Sequence, residues 1–180
     1  DKTRLEIEAL GQLDELNSLV GVLKSRKISQ NLKRILHEIQ ENLFIIQSHI
    51  ANAMLGGSFK VPKFESSKVV EMEKIIDDIE NKLPPLKKFV IPGANEISAW
   101  LDFLRARSRN IERSVLRTSE SKNISTNSNH SSSRQIGTTE GQSISNNSNI
   151  LSYLNRLSSL FFVLARWEAR GKKEQHPSYK

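Results

Sequence analysis

The residues best suited to chemistry are three arginines, Arg105, Arg109 and Arg113, which recur at every fourth position of one segment. Because an α-helix turns about 100° per residue, this spacing predicts a row of guanidinium groups along one helix face. Glu112 falls beside that row, one turn from Arg109. A guanidinium is a rigid fork of donors that matches phosphate oxygens, and a nearby carboxylate can hold the fork in place. The pattern therefore predicts a preorganised site for a phosphate-bearing anion.

The same arginines also have a plainer interpretation. Charged residues three or four positions apart on a solvated helix form ion pairs worth only a few tenths of a kcal/mol each. The segment carries an apolar stripe beside the row, made of Leu101, Leu104, Ser108, Ile111 and Val115. The row would thus lie at the edge of a core, where electrostatic interactions are stronger than in water. This segment alone does not decide between a solvated face and an anion site.

The composition favours a single domain with a hydrophobic core. The chain has 180 residues, of which 37% are hydrophobic, and this length suffices for such a core. It contains no cysteine, which excludes disulfides, thiolate zinc sites and thiol catalysis. No apolar run approaches the length of a membrane span, so we expect a cytoplasmic protein. The net charge of +7 favours anionic partners such as nucleotides or nucleic acid.

Hydrophobic periodicity predicts an all-α bundle. The last predicted helix, at about 150–170, is apolar around most of its circumference and should be the central one. Pro84 and Pro85 should stop the third helix, because proline lacks the amide donor. We expect one domain over 1–170, followed by a polar basic tail over 171–180. The first two helices are predicted at about 3–25 and 30–54.

Several shorter features bear on organisation and function. Residues 117–149 are so rich in serine and asparagine that they predict an inserted, mostly disordered loop. The apolar segment 89–93 is either a buried crossover or a wall of a ligand pocket. Asp14 is either an exposed acid or the partner of an arginine from elsewhere. Asn155 lies on a mostly buried helix and needs hydrogen-bond partners, within the bundle or on a ligand.

Four segments of the chain, listed in chain order at the end of this paragraph, resemble segments of the PduO-type ATP:cob(I)alamin adenosyltransferases. The resemblance covers nearly all of the chain except the serine- and asparagine-rich stretch and the tail. Any one segment is a weak signal, and four in the right order and rough spacing are a strong one. They read Glu8-Ala-Leu-Gly-x-x-Asp-Glu-Leu-Asn-Ser18, Leu83-Pro-Pro-Leu-x-x-Phe-Val-Ile-Pro-Gly93, Arg105-x-x-x-Arg-x-x-Glu-Arg113 and Tyr153-Leu-Asn-Arg-Leu-Ser-x-Leu-Phe-x-x-Leu-Ala-Arg166.

The resemblance implies a ferritin-like five-helix bundle that assembles as a homotrimer with active sites between subunits. It implies ATP with Mg²⁺ and a cobalamin reduced to Co(I) as the reacting partners, with release of triphosphate. A reductase and an adenosylcobalamin-dependent enzyme would be further partners, and neither a membrane nor nucleic acid is expected.

Residue by residue, the resemblance assigns the triphosphate to Arg109 and Arg113, which Glu112 would orient while supporting the outer magnesium shell. No side chain would bind the metal directly. Asp14 would pair with Arg109 across the subunit boundary, and Asn155 would contact the nucleoside. Lys2 falls where the family has a phosphate-binding lysine.

A different class of function fits the charge alone. A non-catalytic, basic helical module could use the same arginine face to bind a nucleotide or nucleic acid. Against nucleic acid, no aromatic residues interleave with the arginines for base stacking, and Glu112 interrupts the positive face.

Overall fold

A computed structural model describes residues 2–127, 148–172 and 175–178, with side chains given from residue 5 to 119 and again from 148. The regular elements within these ranges are five α-helices, which confirms the all-α prediction. They are α1 (Lys2–Lys24), α2 (Gln30–Met54), α3 (Ser67–Glu80), α4 (Glu96–Asn127) and α5 (Ser148–Ala169).

The first two helices match their predicted ranges closely, because local signals define them well. The Ser29 hydroxyl accepts a hydrogen bond from the Leu32 amide at 3.2 Å and so caps the start of α2. Gly56 and Gly57 follow the end of α2 with φ of 74° and 77°. A side chain would strain that left-handed backbone, so the glycines allow the chain to turn there.

The third helix ends earlier than Pro84 alone would require. α3 stops at Glu80, and the amides of Lys82 and Leu83 bond to carbonyls three residues back, each at 3.0 Å. A proline disfavours helical backbone at the residue before it, so the last turn tightens and then opens. The sequence placed Leu83 on the inner face of the third helix, and this is wrong, because Leu83 lies beyond the helix end and is half-buried in the following segment.

Asn95 fixes the start of the arginine-bearing helix α4. Its Oδ1 accepts from the Ser98 amide at 2.9 Å, and the Ser98 hydroxyl accepts from the Asn95 amide at 3.0 Å. This reciprocal pair satisfies two amides that a helix start leaves free. The Asn95 side-chain amide also donates to the Glu168 carbonyl at 2.8 Å, which ties the start of α4 to the end of α5.

The prediction that a loop begins at Arg117 is wrong, because α4 continues to Asn127 and α5 begins at Ser148. Thr118 and Ser119 are buried, and both hydroxyls donate to the Val115 carbonyl. This back-bonding lets polar residues stay within a helix instead of breaking it. The rest of the predicted loop, residues 128–147, lies outside the described ranges.

α5 has ten buried side chains, which bears out its predicted burial, but it shares the middle of the bundle with α1 and α4. It packs against both α3 and α4, while α1 packs against α2 and α4. The apolar stripe predicted on α4 is fully buried from Leu101 to Val115. Within the core, Tyr153 accepts a hydrogen bond from the Asn42 amide at 3.1 Å and meets the Phe64 ring edge-on at 5.2 Å. None of the helices, as far as they are described, is long and apolar enough to cross a bilayer.

Candidate functional site

The centre of the candidate site is a hydrogen bond between two predicted site residues on neighbouring helices. Asn155 of α5 donates from Nδ2 to Glu112 Oε1 of α4 at 2.6 Å. The antiparallel packing of α4 and α5, which the tie between Asn95 and Glu168 also fixes, brings the two side chains together. This bond orients the carboxylate and leaves Asn155 Oδ1 able to accept a further hydrogen bond.

A surface cavity of about 520 Å³ opens beside this pair, between α3, α4 and α5. An ion pair between Arg156 Nε and Glu73 Oε1, 2.9 Å apart, forms its other polar edge. The cavity thus has both charged and apolar walls. Its lining consists of Val69, Glu73, Glu112, Leu116, Leu151, Ser152, Asn155 and Arg156.

The two arginines predicted to bind triphosphate lie on the surface of α4. Arg113 donates to Asn110 Oδ1 at 2.5 Å, and Arg109 has no hydrogen bond or ion pair with any other described residue. Neither is among the residues that line the cavity beside Glu112. Within one chain the expected pairing of Glu112 with these arginines is not formed, since the hydrogen-bond partner of Glu112 is Asn155. Within one chain Arg109 is therefore exposed and has no partner among the described residues, while Arg113 is exposed and bonded to Asn110.

The remaining arginines in the middle of α4 follow the plainer interpretation. Arg105 lies 3.8 Å from Asp102 on the same helix, and Arg107 forms an ion pair with Glu15 of α1. Both arginines are therefore paired with carboxylates of the same chain. The predicted row therefore has a paired end at Arg105 and an accessible end at Arg109 and Arg113.

Asp102 is a partly buried carboxyl near the start of α4. Burial raises its pKa, while the nearby Arg105 guanidinium and a hydrogen bond from the Gly93 amide oppose that rise. The carboxyl therefore connects the arginine row with the segment that precedes α4. A single sequence gives no sign of this role, because the Gly93 contact depends on how that segment folds back.

Two further predicted site residues lie towards α1. Asp14 is exposed and makes no hydrogen bond or ion pair with another residue in the described ranges. Its predicted pairing with Arg109 is therefore not formed within one chain. Lys2 is the first residue of α1, and its side chain lies outside the described part of the structure.

A second cavity, of about 300 Å³, lies at the other end of the α4–α5 pair. Residues 90–94 form one wall, next to the segment of Leu83 and Pro84. Phe89 is 80% exposed, which is unusual for an aromatic side chain. The segment is therefore no buried crossover, and it walls a cavity as the second interpretation required.

No group of three or more His, Asp or Glu side chains that could hold a metal ion occurs among the described residues. Sequence reasoning missed Glu73 and Arg156 as cavity residues. Arg156 directly follows Asn155 and could have been suspected, whereas Glu73 becomes relevant only through the packing of α3 on α5.

Comparison with known proteins gives a consistent result. Residues 1–168 match the family model described as cobalamin adenosyltransferase. The corrinoid adenosyltransferase of Citrobacter freundii is 29% identical over 168 residues, covering 93% of this chain and 83% of that protein. The corrinoid adenosyltransferase PduO of Salmonella typhimurium is 28% identical over 93% of this chain, which spans only 43% of that longer protein.

The fold is also similar to solved structures. One is a variant of the PduO-type ATP:corrinoid adenosyltransferase of Lactobacillus reuteri, complexed with cobalamin and ATP. It superposes with a TM-score of 0.72 at 26% identity, covering 96% of this chain and 83% of that one. Another variant of the same protein, complexed with ATP, gives a TM-score of 0.69 at 28% identity over 97% of this chain and 87% of that one.

Proposed function

This chain belongs to the cobalamin adenosyltransferase family, and on that premise we propose that it transfers the 5′-deoxyadenosyl group of ATP to a corrinoid. The corrinoid cobalt, as Co(I), supplies the electron pair of the new cobalt–carbon bond. The bond between C5′ and the triphosphate oxygen breaks, and triphosphate leaves with the electron pair of that broken C–O bond. The observation that carries the proposal is the family match over residues 1–168, a range that includes every candidate site residue.

Arg109 and Arg113 would bind the triphosphate as its negative charge grows. Preorganised donors aimed at a leaving group stabilise the transition state more than the ground state. Arg113 is already held by Asn110 at 2.5 Å, and Arg109 has no partner among the described residues that would compete with a phosphate. Lys2 would add a further positive charge to the phosphates.

Glu112 and Asn155 would position the nucleoside end of ATP. Their 2.6 Å hydrogen bond fixes the carboxylate and uses one donor of the amide. Asn155 Oδ1 remains available to accept from a ribose hydroxyl or an amino group. The adjoining cavity of about 520 Å³ offers room for a nucleoside.

The active site would be completed by a second copy of the chain in a homotrimer. Support comes from Asp14 and Arg109, which are both exposed and unpaired within the described ranges. Opposite charges left free on one subunit can pair between two subunits and fix the geometry of an interface. Arg109 would then be held by the partner's carboxylate and turned towards the cavity.

The residues present suit magnesium only as an ion carried by the nucleotide. Mg²⁺ commonly keeps several waters and binds substrate phosphates with one or two carboxylates. Among the predicted site residues, Glu112 is the carboxylate that lies on α4 with Arg109 and Arg113. Its hydrogen bond to Asn155 suits an outer-shell role, in which the carboxylate accepts a hydrogen bond from a metal-bound water. When bound, the ion would neutralise phosphate charge beside Arg109 and Arg113.

The wider setting belongs to the same proposal. Reduction to Co(I) requires an electron donor, so a reductase would act before this enzyme, and an adenosylcobalamin-dependent enzyme would use the product. We place the reaction in the cytoplasm, where the absence of cysteine is in keeping with reducing conditions.

A direct assay tests the function. The native gene product is mixed with ATP, Mg²⁺ and chemically reduced cobalamin, and the spectrum and the released triphosphate are followed together. We expect adenosylcobalamin and triphosphate in equal amounts. If no adenosylcobalamin forms, or if pyrophosphate is released in place of triphosphate, the proposed reaction is refuted.

A further inference from the structure

The positive charge of the chain is concentrated at one end of the bundle, which we call the basic end. It comprises the turn between α1 and α2, the segment between α3 and α4, and the end of α5, at residues 24–34, 80–96 and 166–172. These ranges hold eleven of the 27 lysines and arginines but three of the 20 aspartates and glutamates. The remaining sequence therefore has nearly balanced charge, and the net charge of +7 comes from the basic end.

Contacts between the helices place these three segments together. Arg26 of the turn forms an ion pair with Glu96 at the start of α4, with 3.4 Å between Nε and Oε1. A small cavity of about 110 Å³ is lined by Ser29 at the start of α2, by Lys82 after α3 and by Trp167 of α5. The basic end is therefore one region of the folded chain, and its charges act together on an approaching partner.

The turn between α1 and α2 is the most basic part of this region. The side chains of Lys27 and Lys33 make no hydrogen bond or ion pair with any described residue. Arg26 is the one cation of the turn that pairs with a carboxylate among the described residues. Like charges this close repel one another, and an acidic partner would relieve that repulsion. Five cations and no acidic residue occur within residues 24–34, namely Lys24, Arg26, Lys27, Lys33 and Arg34.

Helix capping explains only part of this charge. Lys24 lies in the last turn of α1, where a cation interacts favourably with the helix dipole. Lys33 is the fourth residue of α2, at the end of its first turn, where the dipole disfavours a cation. Arg34 is held by Asn31 Oδ1 at 3.0 Å, but Lys33 has no such partner among the described residues. The cations at the start of α2 therefore do not serve the stability of that helix.

The surface of the turn indicates the kind of contact it can make. Every exposed residue from 25 to 34 is polar or charged, while Leu32 is buried and Ile28 is partly covered. Stable protein interfaces have an apolar core, whereas electron-transfer complexes are small, transient and steered by charge. Helices that lie on a membrane surface also need exposed apolar side chains. The turn therefore suits a transient contact with an acidic protein better than a permanent interface or a lipid surface.

The position of the turn leaves the proposed site of ATP accessible. Glu96 and Arg109 are thirteen residues apart on α4, or about 20 Å at 1.5 Å per residue. Asp14, assigned to the contact between subunits, lies ten residues before Lys24 on α1, or about 15 Å away. The cavity walled by residues 90–94 lies at the basic end. A protein docked on the turn is thus close to a cavity that can hold a ligand, and it does not cover the arginines assigned to triphosphate.

We propose that the basic end, through Lys27 and Lys33 of the turn, docks an acidic protein that donates the electron for reduction of the corrinoid cobalt. This inference rests on the proposed function, which requires Co(I) and therefore an electron donor. In the step that follows docking, a reduced flavin of the partner loses one electron and Co(II) of the corrinoid gains it, giving Co(I). No proton passes to the corrinoid. The cations of the turn attract carboxylates of the partner and raise the rate of encounter.

The test uses the double variant Lys27→Glu with Lys33→Glu in the full chain, and a flavodoxin as the acidic, flavin-carrying probe. Neither side chain has a contact to lose within the described residues. A carboxylate at position 33 is also favourable near the start of α2. The matched control is Lys60→Glu with Lys74→Glu, which makes the same change of charge at exposed, unpaired positions outside the basic end.

Binding is measured first, without turnover, by surface plasmon resonance with oxidised flavodoxin at about 0.01 M and about 0.15 M ionic strength. We expect wild type and control to bind flavodoxin alike, and more weakly at the higher ionic strength. The variant should bind about tenfold more weakly at the lower ionic strength. No binding by wild type, unchanged binding by the variant or an equal loss in the control overturns the proposal.

Two other anionic partners are tested with the same proteins. One is duplex DNA, and the other is vesicles of phosphatidylserine and phosphatidylcholine in equal parts. The proposal expects neither to bind at about 0.15 M ionic strength. Binding of either one at that ionic strength that is lost in the double variant overturns the assignment of the turn to a protein partner.

A second measurement separates the docking surface from the proposed function. Formation of adenosylcobalamin is followed with reduced flavodoxin and, separately, with a small chemical reductant. The variant should be about tenfold slower with flavodoxin and unchanged with the chemical reductant. Equal rates of variant and control with flavodoxin overturn the docking proposal. A wild type that is inactive with the chemical reductant refutes the transferase proposal, while the binding comparison still reports on the docking surface. Circular dichroism of both double variants checks that the helices are intact.

Discussion

Asn155 and Glu112 form a 2.6 Å hydrogen bond that joins α5 to α4 beside the accessible arginines. The carboxylate is thus bonded to a side chain of a neighbouring helix and, within one chain, does not hold Arg109 or Arg113 as the helical spacing suggested. This arrangement leaves Arg109 without a partner among the described residues and gives the carboxylate a fixed direction before any ligand binds.

We expect Asn155→Leu to raise the KM for ATP about tenfold, because it removes both the nucleoside contact and the restraint on Glu112. Glu112→Gln should have a similar effect. If the two act as a unit, a double-mutant cycle on KM gives a coupling energy of about 1 kcal/mol. Additive effects of the two changes would show that the hydrogen bond has no part in binding.

Arg113→Ala should lower kcat about 100-fold, because it removes a donor that acts on the leaving triphosphate. Arg107→Ala provides the matched comparison on the same helix. Its ion pair with Glu15 joins α4 to α1, so we expect a lower Tm with kcat nearly unchanged. Steady-state kinetics and thermal melts separate the effect on kcat from the effect on Tm. Equal losses of kcat in the Arg113 and Arg107 variants would contradict the assignment of Arg113 to the accessible end of the row.

The proposed pairing of Asp14 with Arg109 between subunits can be tested by charge exchange. Asp14→Arg and Arg109→Asp should each weaken trimer formation, since each places like charges together. The combined variant should restore the trimer in analytical ultracentrifugation without restoring activity, because Arg109 is also needed at the phosphate. Trimers of normal stability in both single variants would exclude the pair.

The hydrogen bond between Asn42 and Tyr153 should matter for stability rather than activity. Tyr153→Phe leaves the buried Asn42 amide unpaired, and Asn42 Oδ1 already lacks a partner among the described residues. We expect a loss of about 1 to 2 kcal/mol in urea denaturation. Adding Asn42→Leu should recover part of it, because a buried pair replaced by apolar groups leaves no unsatisfied donor. Greater damage from the double change would contradict this account.

Asp102 should make folding stability depend on pH in the acidic range. Its pKa in the folded chain is raised above the ordinary 3.8, chiefly by burial. The folded state therefore holds this proton more tightly than the unfolded state, and stability falls as pH rises from the ordinary value through the folded one. As pH rises from the ordinary pKa of 3.8, wild type should lose unfolding free energy relative to Asp102→Asn. A constant difference across the acidic range would contradict the raised pKa.

The sequence predicted those features that depend on one helix at a time. The buried stripe from Leu101 to Val115 and the extensive burial of α5 follow from apolar spacing alone. The partner of Glu112 could not be predicted in this way. Helical spacing shows which residues share a face, but not which residue of another helix lies opposite. For the same reason Glu73 was not predicted as a cavity residue, since it lines the cavity only because α3 packs on α5. The end of α4 was misplaced because Thr118 and Ser119 suggest a loop by composition, while their back-bonds to Val115 keep them helical.

The amide of Asn95 reaches the Glu168 carbonyl at the end of the helix pair that is remote from the α4–α5 connection. Asn95 and Glu112 are seventeen residues apart, so this tether acts about 25 Å from the Asn155 contact. The two helices are therefore aligned at the end opposite their connection, so we expect a change in the length of the intervening serine- and asparagine-rich tract to leave Asn155 opposite Glu112.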